Sequence, residues 1–145
     1  MIAVRSARAE DAAAIARLAT QLGYPGTIAQ ATDRLARLAD SDTARVLLAE
    51  SGGAAAGWLH VAEIRTLESE PYAEIVGLVV DASHRGSGIG AFLVQAAIAW
   101  AAERGLAEIR VRSNVVRELA HRFYERQGFD VIKTQKVFRR AVPRP

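Results

Sequence analysis

No cysteine occurs among the 145 residues, which excludes a disulfide framework, a thiolate metal site and a cysteine nucleophile together. Lysine is nearly absent, with two residues (133 and 136) against 17 arginines, so no Gly-Lys-Ser/Thr phosphate loop can be written. Aromatic residues are few: four Phe, three Tyr and two Trp. They form no interleaved basic-aromatic motif, and RNA bases would lack stacking platforms, so no nucleic-acid partner is expected. No run of eighteen apolar residues exists, and the first eighteen carry Arg5, Arg8, Glu10 and Asp11 where a signal peptide needs an apolar stretch. The expectation is a soluble, cytoplasmic protein with no membrane partner.

Half of the residues are apolar, enough for one domain over residues 1–145 to bury a core without staples. The net charge is +3, unevenly divided: residues 1–84 carry −4 and residues 85–145 carry +7. A basic C-terminal half suits nucleic acid, a small polyanionic cofactor or no particular partner, the last because the arginine bias can reflect codon composition alone.

"IAVRSA" alternates as a short strand, and Ile15, Leu18, Ala19 and Leu22 then take helical spacing up to Gly23 and Pro25. Thr27 and Gln30 have capping-box spacing ahead of a second helix with Ile28, Ala31, Leu35 and Leu38 on one face. Ser51-Gly52-Gly53 separates two strand-like runs, and "YAEIVGLVVD" supplies a third, which implies an antiparallel meander. Ile89, Phe92, Leu93, Ala96, Ala97 and Trp100 share a helical face stopped by Gly105. A strand over "AEIRVRS" follows. A fourth helix with Val116, Leu119, Ala120 and Phe123 is closed by Gly128, and "FDVIKTQKVFRRAV" predicts one or two last strands.

The glycines of "VVDASHRGSGIGAFL" carry the chemistry. Gly86, Gly88 and Ala91 satisfy the loose dinucleotide pattern, but five residues separate the strand from the first glycine, and the next strand ends in Arg112-Ser113 where an acidic ribose partner should stand. What remains is Arg85 followed by a run of amides at a helix N-terminus. There the absence of side chains lets backbone approach an anion that the helix dipole favours. This describes a diphosphate site.

With Arg85, Gly88 and Gly90 in place, the segment resembles the acetyl-CoA-binding motif Gln/Arg-x-x-Gly-x-Gly/Ala of the GNAT superfamily of N-acetyltransferases. A second block, "SNVVRELAHRFYERQGF", is similar to that family's later motif through Asn114, Ala120, Tyr124, Gly128 and Phe129. The resemblance covers about residues 74–129 and implies an α+β fold. Its mixed, mostly antiparallel sheet would have six to seven strands and four helices in the order β-α-α-β-β-β-α-β-α-β-β. Two parallel strands, 73–81 and 107–113, would splay to form the acetyl-CoA cleft.

The same resemblance implies an acetyl-CoA-dependent N-acetyltransferase acting on a primary amine of a small molecule or protein, by direct attack in a ternary complex. A GNAT-fold module that binds acyl-CoA or a partner without turnover is the alternative. The implied donor contacts are Leu78, Val79 and Val80 on the strand edge, Arg85, Gly86, Ser87, Gly88, Ile89 and Gly90 at the diphosphate, and Asn114 and Tyr124 near the pantetheine and sulfur. Glu74 is the expected base, with Glu63 a competitor, and Tyr124 the expected acid. A backbone N–H near Leu78 or Val79 is expected to face the oxyanion. Arg117 and Arg122 are candidates for the 3′-phosphate, and Asn114 either bonds pantetheine or orients its helix. His60, His84 and His121 lack ligand spacing, so no metal is expected. Glu63, Glu68, Glu70 and Glu74 hint at a cationic acceptor. Dimers are common among small members of the family, so a homodimer is a further expectation.

Overall fold

Gly52 and Gly53 adopt left-handed φ values of 61° and 83°, turning β2 (Ala44–Ser51) back into β3 (Ala54–Ile64) as the hairpin signal requires. The computed structural model describes residues 1–145 and consists of two units, Met1–Arg112 and Ser113–Pro145. No helix is long and apolar enough to cross a membrane.

The first unit holds one mixed sheet in the order β1-β2-β3-β4-β5. β1 (Ile2–Ser6), β2, β3 and β4 (Tyr72–Val80) pair antiparallel in sequence, and β5 (Ile109–Val111) joins β4 in parallel. Helices α1 (Ala12–Leu22) and α2 (Ile28–Ala39) lie between β1 and β2, and α3 (Ile89–Glu103) connects β4 to β5. The capping box of α2 forms in both directions: Gln30 N–H donates to Thr27 Oγ1, and Thr27 N–H donates to Gln30 Oε1, each at 3.0 Å.

Helix α3 buries Ile89, Leu93, Val94, Ala97, Trp100 and Ala101, whereas Phe92, expected on that face, is exposed. Its first turn packs tightly on β3 at Gly57. A Cβ there would lie 2.8 Å from Val79 O, 3.2 Å from Ile89 Cγ2 and 3.3 Å from Leu93 Cδ1. Only glycine admits so close an approach, so Gly57 sets how deeply the N-terminus of α3 seats against the sheet.

In the second unit, α4 spans Glu118–Arg126, beginning two residues later than Val116, the first apolar position of its expected face. Residues 129–145 contain no regular strand, which corrects the expectation of six to seven strands to five. The apolar residues there come as adjacent pairs, Val131-Ile132 and Val137-Phe138. Neighbouring side chains point to opposite faces of a strand, so no single face of this segment would be consistently apolar.

Candidate active site

The site in the first unit is built around a fault in β4. His60 pairs with Gly77 but Val61 pairs with Ile75, so Val76 is an extra residue, a β-bulge, and its side chain is 52% exposed. Ahead of the bulge, Ala73 N–H donates to Glu108 O on the β5 side. Beyond it, Asp81 N–H donates to Ala56 O on the β3 side. Strand alternation therefore turns the amides of Gly77 and Val79 toward β3 and those of Leu78 and Val80 toward the β5 side.

β5 pairs with β4 only along Ala73–Ile75, so the edge carrying Leu78 and Val80 has no strand partner. The open edge comes from the early end of β5, which is three residues long and pairs along its whole length, and not from a divergence of strands 73–81 and 107–113. Val79, named with Leu78 and Val80 as an edge contact, directs its own amide into the β3 ladder, and its side chain is buried. The bulge inverts the alternation, and nothing in the local sequence marks its place.

Past Val80 the chain makes a 3-10 turn at Ala82–His84 and enters the glycines. Asp81 caps that turn: its Oδ1 accepts from Ser83 N–H and Ser83 Oγ–H, both at 3.1 Å. Ser87 donates from its backbone and its hydroxyl to His84 O, folding the segment back on itself. Gly86 and Gly88 take φ of 84° and 90°, and Gly88 is the N-cap of α3. A Cβ on Gly86 would meet nothing within 4 Å, and one on Gly88 only the ring edge of Phe92 at 4.0 Å. The two glycines are thus needed for their backbone conformation, not for lack of room, and the space over them stays open.

Phe92 N–H donates to Gly88 O and starts the helical ladder, which leaves the amides of Ile89, Gly90 and Ala91 without an intrahelical acceptor. Arg85 is exposed beside them. Convergent amides, a helix N-terminus and a guanidinium fit a diphosphate, and the open edge of β4 fits an extended amide-bearing arm.

Glu74 lies on β4 ahead of the bulge, with its side chain 15% exposed, and accepts from Arg112 Nε at 3.0 Å. The hydrogen bond to Glu74 raises the Arg112 pKa above its usual value. Glu63, the competing carboxylate, sits between Arg65 at 2.7 Å and Arg104 at 3.1 Å, and these hydrogen bonds hold its pKa below the ordinary range. Glu68 and Glu70 precede β4, whereas the glycine turn follows it. The full length of the strand separates them from the turn, so they do not border the diphosphate site.

In the second unit, Asn114 Oδ1 accepts from Val116 N–H at 3.1 Å, and its carbonyl accepts from Arg117 N–H at 3.0 Å and contacts His121 Nε2 at 2.8 Å. Asn114 therefore shapes the turn leading into α4, while Arg117 occupies the N-cap position. Tyr124 packs edge-on against Phe123 and Phe129, with ring centroids 5.2 and 5.7 Å apart. Phe129 N–H donates to Tyr124 O past Gly128, which takes φ 93°. Burial pushes the Tyr124 phenol pKa up, so the ring keeps its proton through neutral pH.

Three side chains that organise the site carry no motif signal: Arg17 and Gln21 of α1, which hold the Asp81 turn, and Arg112. Asp81 itself could have been found, since Asp-x-Ser at a strand end is an Asx-turn signature.

The Acetyltransferase (GNAT) family model matches residues 11–129. An aminoglycoside N(6′)-acetyltransferase type 1 of Stenotrophomonas maltophilia is 29% identical over 140 residues, covering 94% of this chain and 91% of its own. An uncharacterized N-acetyltransferase of Methanocaldococcus jannaschii is 36% identical over 81 residues, covering 56% of this chain and only 36% of its own length. Among solved structures, an aminoglycoside N-acetyltransferase in complex with CoA superposes with a TM-score of 0.86 at 17% identity, covering 97% of this chain and 95% of its own. The glycine turn, the bulged strand and the family match agree: the chain belongs to the GNAT acetyltransferase family.

Proposed function

We propose that this protein, with residues 1–145 acting as one domain, transfers the acetyl group of acetyl-CoA to a primary amine by direct attack in a ternary complex. The observation that carries the reading is the bulge at Val76, which frees the Leu78 and Val80 amides on the same strand that leads into the glycine turn. Acetyl-CoA, when bound, supplies an activated thioester. The amides at Gly86–Gly90 and the Arg85 guanidinium hold its diphosphate, and the Leu78–Val80 edge holds its pantetheine arm. Holding both reactants in line contributes much of the rate.

The acceptor ammonium must first lose a proton, which Glu74 takes directly or through one water. As the C–N bond forms and the C–S bond breaks, the Leu78 N–H faces the carbonyl oxygen, the Tyr124 phenol donates its proton to the departing sulfur, and the second proton lost by the nitrogen restores the phenol. The aminoglycoside N(6′)-acetyltransferase of Stenotrophomonas maltophilia aligns with almost the whole chain, which puts amino sugars first among acceptors to test.

One observation favours the second reading, a module without turnover: Glu74 is held in an ion pair with Arg112. Thiol release from acetyl-CoA, measured over amino sugars, polyamines and peptide amines, separates the two. Release with at least one amine supports the enzyme, and tight donor binding without release across the panel supports the module.

A further inference from the structure

The turn that starts the diphosphate site is not held by its own strand alone. From α1, some sixty residues earlier in the chain, Arg17 Nη1 donates to Asp81 Oδ2 at 3.0 Å, and Gln21 Oε1 accepts from Ala82 N–H at 2.8 Å. Gln21 Nε2 lies a further 3.5 Å from Asp81 Oδ1, and Arg17 Nη2 lies 3.4 Å from Ala55 O on β3. Asp81 N–H is bonded to Ala56 O at 2.8 Å, and Asp81 O accepts from His84 N–H at 2.8 Å. The Asp81 side chain is 15% exposed while Arg17 is half exposed.

We propose that Arg17 and Gln21 are positioning residues for donor binding. They clamp the Asp81–Ala82 turn from α1 and thereby set where the amides of Gly86–Gly90 stand relative to the open edge of β4. Neither side chain touches the donor. The inference rests on the function proposed above and adds residues to it that lie outside both family motifs.

The physical reason is leverage. Gly86 and Gly88 have no side chains to brace them, and only the Phe92 ring edge comes near Gly88, so the turn takes its position mainly from its two ends. One end is α3, seated on Gly57. The other is Asp81, tied to β3 through its amide and to α1 through its carboxylate. The hydrogen bonds from Ser83 and Arg17 pull the Asp81 pKa far below the ordinary carboxylate range, so the carboxylate of the clamp stays charged at neutral pH. Loosening one end by about an ångström costs donor affinity steeply, because several amides must converge on one anion.

The test compares acetyl-CoA with S-acetylpantetheine, which keeps the thioester arm and lacks the diphosphate, in wild type, Arg17→Ala/Gln21→Ala and Arg17→Lys. The expected result for the double variant is a KM for acetyl-CoA raised about tenfold with kcat nearly unchanged, and an unchanged kcat/KM for S-acetylpantetheine. Arg17→Lys keeps the cation and recovers most of the affinity. Equal losses with both donors would show a general structural role and overturn the inference, as would no loss with either. Thermal melting of each variant accompanies the kinetics. Failure of the wild-type protein to bind CoA at all would instead refute the proposed function on which the inference stands.

Discussion

Arg112, one residue beyond the end of β5, donates its Nε–H across 3.0 Å to Oε1 of Glu74 on β4. The carboxylate expected to act as base is therefore held in place by a cation, 15% exposed against 55% for its partner. Such a pair orients the carboxylate, and an incoming ammonium competes with Arg112 for it. If Glu74 takes the acceptor proton, Glu74→Gln lowers kcat/KM by about 10²-fold or more. With its Arg112 partner more than half exposed, the pair contributes roughly 1 kcal/mol or less to folding, so the melting temperature barely moves. Steady-state kinetics beside thermal melting checks both halves.

Tyr124→Phe removes one hydroxyl from a ring packed between Phe123 and Phe129. Turnover should fall by about 10²–10⁴-fold while the dissociation constant of CoA stays within about twofold. Because burial raises the phenol pKa, loss of the acid form should not limit turnover between roughly pH 7 and 9. Equal turnover in the Phe variant would remove Tyr124 from the reaction.

His60 stands on β3 opposite Gly77, and burial lowers its pKa. The neutral ring is favoured in the folded state, so between the folded pKa and the ordinary value near 6.5 the unfolded chain binds more protons. Stability is therefore full above about pH 6.5 and declines as the pH falls toward and through the folded pKa. Urea denaturation at several pH values between roughly 5 and 7.5 should show this slope, and His60→Gln should flatten it.

Much of this molecule was legible from residue order alone. Gly52-Gly53, Thr27 with Gln30, and Gly105 each encode a local conformation that needs no tertiary partner, and each forms as read. The glycine turn is legible for a related reason, since glycine admits the positive φ that Gly86 and Gly88 adopt, although Gly90 beside them does not use it. The bulge at Val76 is not legible, because it arises from the register between β3 and β4 and depends on pairing across the hairpin. The clamp from Arg17 to Asp81 and the pair between Arg112 and Glu74 were hidden likewise, by separations of 64 and 38 residues. The last strands do not form, for the opposite reason: the loose alternation suggests a strand, but Val131-Ile132 and Val137-Phe138 break the period of two.

The central claim is that main-chain amides between residues 85 and 90 grip a diphosphate. Titration calorimetry of CoA into the wild-type protein and into Gly88→Ala tests it most directly. The variant forces a Cβ onto φ 90°, a backbone conformation costing roughly 1–2 kcal/mol, with no steric clash to confuse the result. Saturable heat for the wild type and affinity reduced about tenfold or more in the variant are the predicted results. Absence of wild-type heat, or equal affinity in the two proteins, would contradict the account.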